Sequence, residues 1–98
     1  MTARNTADLT DETDRRRLAD DLAADGGAEW AADFRPGSLG CHELLDRTAL
    51  IADLVEGRLV EHPACVANPA WFALARRAAA ALYELYQQVG TAHSDDTT

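Results

Sequence analysis

Two stretches of about 20 residues carry apolar side chains every three or four positions, and only a short, proline-marked joint separates them. The joint reads Glu61-His62-Pro63-Ala64-Cys65-Val66-Ala67-Asn68-Pro69. Pro63 disfavours helix at the residue before it, and Asn68-Pro69 offers a capping side chain followed by a proline suited to a first helical turn. Upstream, Cys41, Leu44, Leu45, Thr48, Ile51, Ala52, Val55 and Leu59 fall on one helical stripe. This spacing predicts a helix from Leu39 or Cys41 to about Glu61. Downstream, Trp71, Ala75, Ala78, Leu82, Leu85 and Val89 step alternately by four and three, a heptad-like seam widened by Phe72, Ala79, Tyr83 and Tyr86, which predicts a second helix to Val89 with Gly90 as its C-terminal cap. A joint this short brings consecutive helices back alongside each other. The expected fold is therefore all-α, an antiparallel helical hairpin over residues 34–90.

The ends read differently. Residues 1–33 hold nine acids and four arginines, whereas residues 34–90 hold six acids and five arginines. The first third is thus an acidic arm, with polar residues 1–9 expected to be loose. A helix capped by Thr10 is expected to run to about Ala24 and to end at Asp25-Gly26-Gly27. Trp30 and Phe34, four apart, suggest a short helical turn. Residues 91–98 read as a disordered tail.

Alanine accounts for 20 of the 98 residues. Such side chains bury little area, and a two-helix hairpin leaves apolar faces uncovered. A short chain with so thin a core commonly gains its remaining stability from association, so a homo-oligomer is expected. The net charge of −8, with no basic patch, argues against direct nucleic-acid binding. No basic-then-apolar leader opens the chain and no run of about 18 apolar residues occurs, so a cytoplasmic protein without membrane contact is expected. Its two cysteines, Cys41 and Cys65, are then reduced thiols.

The segment Phe34-Arg35-Pro36-Gly37-Ser38-Leu39-Gly40-Cys41-His42 concentrates the residues of chemical interest. Cys41-His42 and His62-x-x-Cys65 supply zinc-type ligands. Neighbours on a helix point about 100° apart, however, and the two pairs sit at opposite ends of a long helix, so no metal site is expected. The same divergence argues against a Cys–His nucleophile, and no hydrolase or nucleotide-binding loop motif occurs. Neither catalytic residues nor a cofactor are expected. A helix N-terminus does attract anions. Gly40 allows close backbone approach, Ser38 adds a hydroxyl, and Arg35, His42 and Arg47 add charge, with Trp71 or Trp30 available to stack on a base. The competing reading makes Ser38 a simple cap, the glycines turn residues and Phe34 a hydrophobic staple.

The run PGSLGCHELLDRTALIADLVEGRL followed by EHPACVANPAWFALARRAAAALYELYQQVG resembles small uncharacterised helical proteins encoded in phages and prophages. These share a P-G-S-x-G-C-H-E start and an E-H-P…N-P-x-W joint. The resemblance covers residues 34–90 and leaves out the acidic third. By analogy with other small helical phage proteins, it implies a counter-defence role in the host cytoplasm. One form is a sponge that sequesters a small anionic, nucleotide-like signal. The alternative is an inhibitor or adaptor of the anti-CRISPR kind, acting on a protein through the acidic N-terminal helix.

Overall fold

The computed structural model describes residues 2–97, with side chains described for residues 10–95. Every regular element among them is helical, and no strand occurs. The chain divides into two units, Met1–Ala32 and Asp33–Thr98.

The first unit is built on one long helix, α1 (Thr2–Gly26). It begins well before Thr10, so the expected cap is an interior residue. Nothing between Thr2 and Thr10 is glycine or proline, and an uninterrupted run of tolerable helix formers simply continues. The side chains of residues 1–9 lie outside the described set. Gly27, at φ 92°, turns the chain out of the helix, and its N–H donates to the Ala23 carbonyl at 2.8 Å. Glu12 holds both Arg15 (2.6 Å) and Arg16 (2.8 Å) on one side of α1.

A short 3₁₀ helix, Trp30–Phe34, precedes the second unit's three α-helices. These are α2 (Leu39–Leu54), α3 (Pro63–Val66) and α4 (Pro69–Thr97). Between α2 and α3 the backbone widens into a π-helical stretch, Val55–Val60. It contains Gly57, the residue least committed to regular α geometry. His62 caps α3, its Nδ1 accepting from the Ala64 N–H at 3.0 Å. Asn68 caps α4, its Oδ1 accepting from Ala70 (3.1 Å) and Trp71 (3.2 Å).

Contacts between α2 and α4 follow a consistent order. Gly37, just ahead of α2, meets His93. A Cβ on Gly90 would stand 3.6 Å from Leu45 Cδ1. Glu56, just beyond α2, pairs with Arg76 at 3.3 Å. Partners therefore move back along α4 as one moves forward from α2.

The inner surface is made of small side chains. Cys41 (7% exposed), Thr48 (3%), Ala52 (4%), Val60 (3%) and Ala79 (2%) are buried. Thr48 Oγ1 satisfies itself by donating to the Leu44 carbonyl at 2.8 Å. Of the expected stripe, Cys41, Thr48 and Ala52 are buried, Leu45 and Val55 are half-buried, and Leu44, Ile51 and Leu59 are exposed. On α4 the seam is rotated from expectation. Ala79 is buried and Phe72, Ala75, Leu82 and Val89 are half-buried, while Trp71, Ala78 and Leu85 face out. The heptad spacing fits either register, because apolar residues cover more than one face of this helix.

Two boundaries also differ from expectation. The Pro63–Val66 turn of helix lies where a plain connection was expected. At the other end, α4 passes through Gly90 and continues to Thr97, so the tail is helical as far as residue 97. Gly90 lacks the positive φ of a terminating glycine and sits inside the helix beside Leu45.

Candidate functional site

The start of α2 is the richest local arrangement. Gly37 takes φ 89°, a left-handed conformation natural to glycine, and so closes the turn after Arg35-Pro36. The Ser38 N–H donates to the Arg35 carbonyl at 2.9 Å, completing that turn. Ser38 itself is extended (φ −84°, ψ 164°), and its Oγ accepts from the Cys41 N–H at 3.1 Å. It is the helix N-cap, and the hydroxyl is occupied in that role.

The second element of the site comes from near the far end of the chain. The Gly37 N–H donates to His93 Nδ1 at 2.9 Å. A nitrogen that accepts carries no proton, so the neutral ring holds its proton on Nε2. The His93 ring also lies against His42, with centroids 5.6 Å apart and planes tilted by 38°. His42 Nε2 stands 3.4 Å from Asp46 Oδ2, one turn along α2. Arg47 pairs with Glu43 at 3.2 Å on an exposed face.

Gly40 is the point of closest packing. A Cβ there would overlap Phe34 Cδ1 and stand 2.7 Å from the Asp33 carbonyl oxygen. Phe34 therefore lies over the first turn of α2, though half its surface remains exposed at 54%.

The sequence-selected residues thus separate. Arg35, Ser38, Gly40, His42 and Arg47 lie within the first turns of α2 or the loop before them. Trp71 sits in the first turn of α4, the end of that helix remote from His93. It is 58% exposed. Trp30 belongs to the first unit. Cys41 is buried while His42 is exposed, as their adjacent helical positions require. Among the described residues, no three His, Cys, Asp or Glu side chains come together to hold a metal. Among the described residues, no helix is long and apolar enough to cross a membrane.

His93 is the site residue that sequence reasoning missed. It lies beyond the segment read as the end of the hairpin, and no spacing rule links it to Gly37 across 56 positions. A second feature also went unseen. A groove lined by Glu56, Arg76, Ala79, Ala80 and Tyr83 runs beside the Arg76–Glu56 pair. Arg76 is thereby engaged within its own chain. Compared with protein-family models, curated proteins and solved structures, the chain matches none.

Proposed function

We propose that this chain is a non-catalytic binding protein that works through protein association, a helical inhibitor or adaptor of the kind phages direct against host systems. Its second unit serves as an antiparallel α2–α4 hairpin that assembles into a homo-oligomer. Its first unit supplies the contact to a partner. The observation carrying this reading is the distribution of side chains on α1. Leu18 (52% exposed) and Leu22 (49%) are one turn apart and lie out on the surface. At about 100° per residue, Asp14, Asp21 and Asp25 share their face. Glu12 lies about 100° from the line of Leu18 and Leu22, and its ion pairs draw Arg16 and Arg15, the one arginine that borders Leu22, toward itself. One face of α1 is therefore acidic and apolar together, and the partner that suits it presents a groove both basic and apolar.

The test compares the full chain with a Leu18→Asp/Leu22→Asp variant as baits in lysate of the bacterial host. One protein should be held by the wild type, released by high salt and lost from the variant, with helicity by circular dichroism unchanged. Equal capture by both chains would defeat the reading.

A second reading, sequestration of a small anionic, nucleotide-like ligand at the start of α2, has one observation in its favour. The N–H groups of Leu39 and Gly40 are the first two of the helix, where no intrahelical acceptor exists, and Arg35 precedes them by a single turn. It ranks second because the Ser38 hydroxyl and the Gly37 N–H are already engaged. A panel of cyclic and ADP-ribose-type nucleotides should raise the melting temperature of the wild type and not of Arg35→Ala. No shift with any of them removes this reading.

A further inference from the structure

The second unit keeps its large apolar residues outside. Its buried hydrophobic side chains are Cys41, Ala52, Val60 and Ala79, whereas Leu44, Ile51, Trp71, Leu74 and Leu85 are each 44–59% exposed. The placement of these exposed residues follows from helix geometry. On α2, Leu44 and Ile51 lie about 70° to one side of the buried line Cys41–Thr48–Ala52. On α4, Trp71, Leu74, Ala78 and Leu85 lie on average about 110° from the buried Ala79, in the same rotational sense. In helices that run in opposite directions, offsets of the same sense project to the same side of the pair. The two sets therefore form one face.

The opposite side has a different character. There Arg76 meets Glu56, and Asp53, Tyr83 and Gln87 accompany them. The two sides differ: one gathers the large apolar residues with the Arg47–Glu43 pair at its rim, and the other carries Arg76, Glu56, Asp53 and Gln87.

We infer that this apolar face, formed by Leu44, Ile51, Trp71, Leu74, Ala78 and Leu85, is the seat of a second copy of the chain, giving a two-fold four-helix dimer. The inference rests on the hairpin proposed above and is independent of what α1 binds. Three features select a second copy. At their observed exposures, the residues of the face offer on the order of 600 Å² per chain, the central part of the about 800 Å² per partner of a standard interface. The spacings match: Leu44 and Ile51 are seven apart, as are Trp71, Ala78 and Leu85, so the face of one copy meshes with that of another at a common heptad repeat. Small Ala78 lies between Trp71 and Leu85, which leaves room for a large side chain of the facing copy. Charge agrees as well. A chain of net charge −8 repels its own copy, and this face keeps the acids away from the contact.

The test is sedimentation velocity on the full chain near 50 µM, with Ile51→Glu and Leu74→Glu as face variants and Gln87→Glu as the opposite-side control. Wild type and Gln87→Glu should sediment as dimers. The face variants should dissociate at least about 30-fold more readily, as expected when a charge enters an apolar contact. A monomeric wild type, or dimers that survive both face substitutions, would overturn the inference. Should a face variant unfold, a chain carrying Trp30→Phe decides alone, because Trp71 is then its sole tryptophan. Its emission should shift to the red on dilution as Trp71 returns to water, and constant emission over a 1,000-fold dilution counts against the dimer. An NOE between the Leu45 methyl and Gly90 reports the hairpin separately, so loss of the dimer and loss of the hairpin are told apart.

Discussion

His93 Nδ1 accepts a hydrogen bond from the Gly37 N–H at 2.9 Å and so joins the end of α4 to the turn that starts α2. The two residues are 56 positions apart, and the bond closes the second unit on itself. Replacing His93 by alanine removes the acceptor and the ring beside His42. The expected cost is about 1 kcal/mol, the usual net worth of such a bond. In a domain of this size that lowers the melting temperature by about 4–8 °C. Amide exchange should rise most at Gly37.

Gly40 is held glycine by its neighbours. On an isolated helix Gly→Ala stabilises by about 1 kcal/mol, but here the new Cβ would overlap the Phe34 ring and crowd the Asp33 carbonyl. The backbone oxygen cannot swing aside, so Gly40→Ala should destabilise by about 1–3 kcal/mol. Gly57→Ala meets nothing within 4 Å and serves as the control. Chemical denaturation of the two variants measures the difference.

Ala79 and Ala52 are small and buried. They are 2% and 4% exposed, so a leucine at either position has no space to enter. Ala79→Leu is expected to cost about 1–3 kcal/mol by overpacking, whereas Ala80→Leu, on the exposed flank of the groove, should cost far less. Thermal unfolding followed at 222 nm separates them.

The two thiols should differ in reactivity. Cys41 is buried on the inner face, and Cys65 is half-buried on α3. A thiol reagent in native buffer should modify Cys65 first and reach Cys41 only as the unit opens. Mass spectrometry after timed quenching gives the order, and equal rates would show the inner face to be open.

Glu12 gives α1 a specific pH response. Its hydrogen bonds to Arg15 and Arg16 hold its carboxyl down to about 2, from the ordinary 4.5. A carboxyl lowered in the folded helix stabilises it above its ordinary pKa, and that support is lost as pH falls through the lowered value. The loss therefore belongs to the interval from about 4.5 down to about 2. The pair is exposed, so salt screens it. Carbon-detected NMR should place the Glu12 midpoint well below the ordinary glutamate value at low salt, and Arg15→Gln should move it up.

The three long helices were legible in the sequence, though not the short α3 or the early start of α1, and so was most of the start of α2. Asn68-Pro69, Ser38 and Pro63 act on their own backbone within a few residues, and local rules of capping and proline geometry place them correctly. The burial of Cys41 beside an exposed His42 follows in the same way from helical periodicity. Rules of this range fix where a helix begins and which residues share a face. They do not choose between two apolar faces of one helix. On α4 either face satisfies a heptad spacing, and packing in the folded unit leaves Ala79 buried and Trp71 outside. The same packing carried the helix past Gly90, because Leu45 lies against it and the chain gains by staying helical there. The bond from Gly37 to His93 is likewise a tertiary product, since it depends on how far α4 extends and which way it faces. Sequence determined most of the elements by local chemistry, and packing across the helices decided the register, the small-residue core and which large apolar side chains stay exposed.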